Sequence, residues 1–357
     1  MFSGGSARDS QPQAAASTQP APAVALPRLP GAPRIQVRDG FRAEVYARGV
    51  QAPTAMAFGP DGRLYVTQAN GKIVSVSRGA RRARLLASGF PTPLGLTWRA
   101  RTLYVSAQGR IERLRVTGGR VTARRTILAD LPFGRHQQDT IVFGPDGRLY
   151  LGSGSTCDAC VEQDARSAAV LSFRPDGSDL RIVSTGLRNP FGLAFQPGTG
   201  RLYVSVNNRD DLPDPSAPEP AETVVVAAPG RDFGWPDCWP SFRRKQLVGP
   251  CSGVTRPVAY LEPHSSADGL VFYAGQSFPA RFRRSLFVAL WGQYAAEEHG
   301  RRVVRLVLGR NGSVRSVTSF ESGFDHPLAL TVDGLGGLLV GDWGRGVIYR
   351  IQAKGKP

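Results

Sequence analysis

The chain has 357 residues, 41% of them hydrophobic and 20% charged, enough to bury a large core. No apolar run approaches the roughly 18–20 residues of a helical membrane span. The formal net charge is +17, but only Lys72, Lys245, Lys354 and Lys356 are lysines. The arginines that make up the excess are spread along the chain (Arg63, Arg110, Arg148, Arg201, Arg283, Arg345). That spread argues against a phosphate-tracking stripe, so no nucleic-acid partner is expected. Loose attraction to an acidic cell envelope is.

Residues 1–33 are rich in Ala, Pro, Ser and Gln and carry no β pattern. Such a composition cannot bury enough apolar surface to fold alone, so a disordered tether is expected there. Tethers of this kind often follow an export signal, although the basic-then-apolar signal pattern is not seen in it.

From residue 34 to 354 one phrase repeats: a β-type run, a turn and a second β-type run. It occurs at 54–69, 94–108, 140–154, 191–207, 269–290 and 328–343. Two copies share the turn GPDG, whose Asp-Gly supplies the positive φ of a tight hairpin and reads as scaffold, with no phosphate-binding role. Third strands follow at 72–78, 110–116, 169–175, 302–308 and 346–352, and fourth strands at 82–88, 123–129, 180–186, 256–262 and 313–319. The last repeat stops at its third strand. The run FRAEVYARG (41–49) resembles the other fourth strands and supplies the missing one. The expected fold is therefore all-β, a six-bladed β-propeller whose four-stranded last blade is closed from the N-terminus, leaving no open seam.

The cysteines form two local pairs, Cys157 with Cys160 and Cys238 with Cys251. An even count of close pairs reads as two loop-closing disulfides and an oxidising compartment, secreted or periplasmic. A CxxC zinc site is the competing reading. The second pair lacks that spacing and histidine is scarce.

In a propeller the fourth-to-first and second-to-third loops emerge at one end, around the channel mouth. Three of the four histidines, His136, His264 and His326, fall in fourth-to-first loops. A rare titratable residue gathered at one end marks a candidate site. The second-to-third loops add Asn207, Asn208, Asp210 and Asp211, and then Glu297 and Glu298. Clustered carboxylates and amide oxygens suit Ca²⁺, with a solvated acidic loop as the alternative.

The runs GRHQQDTIVFGPDGRLYLGSGSTC, GLRNPFGLAF, NNRDDL and DFGWPDC resemble the soluble glucose/sorbosone dehydrogenases, which use pyrroloquinoline quinone (PQQ). The most specific parts are a His eight residues before GPDG and the Arg-Asn-Pro-aromatic-Gly-Leu-Ala-Phe run. The resemblance implies PQQ and Ca²⁺ as cofactors, an aldose sugar as substrate and an external electron acceptor. It implies His136 as general base, Arg188 and Asn189 on the cofactor, and Asn207 with Asp210 and Asp211 near calcium and cofactor. His264 and His326 are expected to line the same mouth.

The chain departs from the family pattern where an acid usually orients the imidazole: Ser155 stands there, with Asp158 nearest. The blade-two loop GFPTPLGL lacks a Gln, loop 291–301 offers acids in place of a base, and Asp325-His326 precedes the last Pro. Losing basic groups weakens the grip on a polyanionic cofactor. A non-catalytic propeller binding a sugar or an envelope component at the same mouth is therefore the alternative. A metal-dependent lactonase ranks third, because the first strands offer mainly apolar residues where its metal ligands would stand.

Overall fold

The computed structural model describes residues 35–78, 82–210, 220–293 and 299–355. The tether assigned to 1–33, Asp211, Glu297 and Glu298 lie outside the described residues. The described residues belong to one compact unit.

The GPDG turns show why each repeat folds back on itself. Gly62 and Gly147 take φ of 74° and 77°, which L-residues with a Cβ rarely adopt. Asp61 and Asp146 each accept a bond from the backbone N–H two residues on (Arg63 and Arg148, 3.2 and 3.1 Å). Each also accepts one from a tyrosine hydroxyl in the next strand, Tyr65 or Tyr150, both at 2.9 Å. These carboxylates are occupied by the scaffold, as the turn chemistry implies.

The strands assemble into six blades, antiparallel except where the short strand Arg231–Asp232 runs parallel to the outer strand of blade three. Their inner strands are Pro53–Phe58, Gly95–Arg99, Gln138–Phe143, Asn189–Phe195, Ala267–Phe272 and Pro327–Val332. The N-terminal strand Phe41–Arg48 pairs with Val347–Ala353 and forms the outer strand of blade six, closing the ring as expected. Blade four takes its third strand from Glu222–Ala227, which the sequence does not single out, because a long loop separates it from its partner Leu202–Asn207. A short strand, Gln36–Val37, extends the outer edge of blade five. Both cysteine pairs are bridged, Cys157 to Cys160 and Cys238 to Cys251, so the disulfide reading holds over the zinc one.

The apolar cores lie between neighbouring blades. Phe41 of the closing strand meets Phe278, Phe282 and Phe320 of blade five edge-on, at centroid distances of 4.8, 5.0 and 5.1 Å. Near the axis the backbones themselves touch: a Cβ added at Gly269 of blade five would enter the Leu328 carbonyl of blade six. Gly269→Ala is therefore expected to lower the free energy of unfolding by about 1–3 kcal/mol. Urea titration would show a lower midpoint with an unchanged slope.

Candidate active site

His136 sits on the loop from the fourth strand of blade two (Arg120–Leu128) into blade three. Its backbone N–H donates to the Ser155 carbonyl at 2.9 Å, and that of Arg135 donates to Thr156 at 2.8 Å. The Ser155 N–H in turn donates to the Arg188 carbonyl at 2.7 Å. Three top loops, carrying His136, Ser155 and Arg188, are thus knitted together by backbone bonds, which fixes them as a unit. Gly154 permits the close approach: a Cβ there would press on His136 and lie 2.8 Å from Asn189 Oδ1.

The His136 ring places Nδ1 2.8 Å from Ser155 Oγ, and Ser155 Oγ donates to the Cys157 carbonyl at 2.7 Å. Burial, then the positive charges of Arg188 and Arg135, push the imidazole pKa down to about 3. The ring is therefore neutral at ordinary pH, with a lone pair to offer.

Arg188 is only 2% exposed. Its guanidinium bonds the Asp158 carboxylate, the Asp158 carbonyl at 3.1 Å and Asp210 Oδ2 at 3.1 Å. Asp158, the nearest acid expected to orient the imidazole, is taken by Arg188 instead, and the hydroxyl of Ser155 meets the ring. Asp210 Oδ1 lies 3.2 Å from His264 Nδ1. Burial opposes ionisation of Asp210, but the bond from His264 and the charge of Arg188 prevail and hold its carboxyl below the usual range. A chain of contacts therefore runs from His136 through the Ser155 backbone to Arg188, Asp210 and His264.

Asn189 and Asn207 begin and end paired strands and stand opposite one another. Asn207 Nδ2 donates to Asp268 Oδ1 at 2.8 Å. The amide oxygens of both asparagines are buried without a hydrogen-bond partner, as is Asp139 Oδ2. Asp139 and Asp268 occupy matching places on the inner strands of blades three and five, which corrects the expectation of mainly apolar residues at these strand starts. Burial raises Asp139 well above the usual carboxylate range, and the Asp268 charge adds to it. Burial likewise pushes Asp268 up to about 7 and Glu222 up to about 8. An acidic residue just before an apolar strand, in QQDTIVF and SADGLVF, was the available signal, and the strand pattern masked it.

An apolar floor, which no local sequence pattern marks, lies nearby. Phe191, Trp291 and Leu328 pack with Leu94 and Trp343, so side chains from blades two, four, five and six meet near the axis. His326 belongs to this floor: it is buried, with its ring centroid 4.1 Å from that of Trp291. Two arginines stand near it. Arg301 Nη1 lies 3.5 Å from Asp325 Oδ1, and Arg345 Nη1 lies 3.6 Å from Asp342 Oδ2. Both follow or close second-to-third loops and so share the mouth. A separate cavity of about 540 Å³, lined by Arg148, Phe195 and Arg201 among others, lies between blades three and four at the GPDG-turn end, away from the histidines.

Fold and site together define a six-bladed propeller with a neutral imidazole, a buried arginine and unpartnered oxygens at one mouth. A family profile described as glucose/sorbosone dehydrogenase matches residues 97–328, and the chain belongs to that family, a family of sugar dehydrogenases. Among curated proteins it is 24% identical over 193 residues to the aldose sugar dehydrogenase of Escherichia coli K12, an alignment covering 47% of this chain and 49% of that protein. Among solved structures it resembles the calcium structure of a Trichoderma reesei carbohydrate-active enzyme of family AA12, with TM-score 0.80, 17% identity and 91% and 98% of the two chains covered. It also resembles the PQQ-bound aldose sugar dehydrogenase of Streptomyces coelicolor, with TM-score 0.68, 22% identity and 89% and 100% covered.

Proposed function

We propose that the protein is an exported aldose dehydrogenase that uses PQQ with Ca²⁺ and passes electrons to an external acceptor. The observation that carries this reading is the neutral imidazole of His136, held beside Arg188 at the mouth of a propeller of this family. When bound, PQQ would supply the two-electron acceptor for hydride from the sugar's anomeric carbon.

The chain's own residues fit both groups. The apolar cluster of Phe191, Trp291 and Trp343 offers aromatic faces and edges to a flat ring, and Arg135, Arg188, Arg301 and Arg345 suit its carboxylates. The unpartnered oxygens of Asn189 and Asn207, with the Asp210 carboxylate, offer the hard donors that Ca²⁺ takes. His136 accepts the proton of the sugar hydroxyl, a role open to it because its ring carries no second proton above about pH 3. Arg188 and Asn189 orient the cofactor, and His264 stands at the rim through Asp210. The two disulfides support an oxidising compartment, and no helix among the described residues is long and apolar enough to cross a membrane.

The deciding experiment is a titration of the purified apo-protein with PQQ in the presence of Ca²⁺, followed by dye reduction with a panel of aldoses. Stoichiometric binding with turnover is the expected result. Absence of binding at high micromolar cofactor would leave the non-catalytic propeller reading in its place.

A further inference from the structure

The contacts of Ser155 contain one proton fewer than they first suggest. Its hydroxyl lies 2.8 Å from His136 Nδ1 and 2.7 Å from the Cys157 carbonyl oxygen. A carbonyl can only accept, and a hydroxyl carries a single hydrogen. If that hydrogen went to the imidazole, the serine and the Cys157 carbonyl would face each other as two acceptors at 2.7 Å, which is repulsive. If it goes to the carbonyl, the remaining contact is satisfied only when His136 Nδ1 carries the ring proton and donates to Ser155 Oγ. Both contacts are then good hydrogen bonds.

We propose that Ser155 is a positioning residue that fixes His136 in the Nδ1–H tautomer, leaving the lone pair on Nε2. The relay runs His136 Nδ1–H to Ser155 Oγ, and Ser155 Oγ–H to the Cys157 carbonyl. Its far end is anchored twice: the Cys157–Cys160 bridge closes the loop that presents this carbonyl, and Arg188 holds the next residue, Asp158, through its carbonyl at 3.1 Å and its carboxylate. Tautomer and ring orientation are thus set by a hydroxyl and a backbone carbonyl, with no carboxylate bonded to the ring. The low basicity of the ring comes first from burial and then from the charges of Arg188 and Arg135, which outweigh the Asp210 charge and the Ser155 backbone that favour the imidazolium. The consequence for chemistry rests on His136 being the base: the tautomer decides which ring nitrogen can take a proton.

The test uses the full-length apo-protein, labelled with ¹⁵N at histidine only, which gives four imidazoles to resolve. Long-range ¹H–¹⁵N correlation separates the protonated from the unprotonated ring nitrogen, and His136→Gln assigns the signal by its loss. The wild type should show His136 protonated at Nδ1 and bare at Nε2. Ser155→Ala should lose this pattern, and Ser155→Thr, which keeps the hydroxyl, should restore it. A wild-type His136 protonated at Nε2 overturns the proposal, as does an unchanged Nδ1–H tautomer in Ser155→Ala.

In the dye-linked assay, Ser155→Ala should lower kcat about tenfold or more with PQQ affinity nearly unchanged, and Ser155→Thr should recover most of it. The expected tautomer in a protein that never turns over sugar would support the relay and overturn the dehydrogenase reading alone.

Discussion

Replacing His136 with Ala is expected to lower dye-linked turnover of aldoses by roughly 10²–10⁴-fold, the usual contribution of a general base. The affinity for PQQ should stay within a few-fold of the wild type, because the buried guanidinium and the apolar floor lie elsewhere. The comparison that gives this result its meaning is His264→Ala. His264 meets a carboxylate, Asp210, at 3.2 Å, and by that criterion alone it looks the better base. It stands beyond Asp210 and Arg188, however, whereas His136 is fixed by three backbone-linked loops of blades three and four. A small loss in His264→Ala beside a large one in His136→Ala would support the assignment. The reverse pattern would move the base to the His264–Asp210 pair. Arg188→Ala should act on the other parameter, weakening PQQ binding, since Asp158 and Asp210 would lose the cation that orders them. It should also raise the His136 pKa, because the Arg188 charge is one of the groups that depress it.

The architecture was legible because its determinants are local. Asp-Gly turns, alternating strands and a spare N-terminal strand each lie within a few residues of what they specify, and Phe41–Arg48 indeed closes blade six. The third strand of blade four escaped because its partner lies across a loop whose length breaks the repeat. At the site, residue types were readable and their partners were not. Arg188 could be picked out from its motif, yet its salt bridges reach Asp158 and Asp210, on loops 30 and 22 residues away. Asp139 and Asp268 look like ordinary strand-edge polar residues until ring closure turns both toward the axis. Ser155 reads as the loss of an acid, and only the positions of its neighbours show what its hydroxyl does.

Those buried acids lead to the second large effect: in metal-free buffer the unfolding temperature should fall as pH rises from about 5 to about 8. Burial holds Glu222 up to about 8, and Asp268 and Glu321 each up to about 7. A carboxyl whose pKa is raised on folding binds its proton more tightly in the native state. Its stabilising contribution is complete below the ordinary carboxylate pKa and disappears as pH climbs through the folded value. For Glu222 alone the span corresponds to a loss on the order of several kcal/mol. At this chain length each kcal/mol moves the midpoint by about 1–2 °C, so a drop of several degrees is expected by calorimetry. Glu112, Asp164, Asp179 and Asp325 run the other way. Arginine or histidine partners hold them below their usual values, so their contribution is lost only in acid, below about pH 4. The curve should therefore peak near pH 5. Glu222→Gln should flatten its alkaline side, since a neutral amide has no proton to lose. Calcium added at pH 8 should recover more stability than at pH 5, because ionised oxygens near Asn207 and Asp210 attract a cation that protonated ones do not. A midpoint that rises steadily from pH 5 to pH 8 without metal would mean that these acids are ionised and paired in the native state.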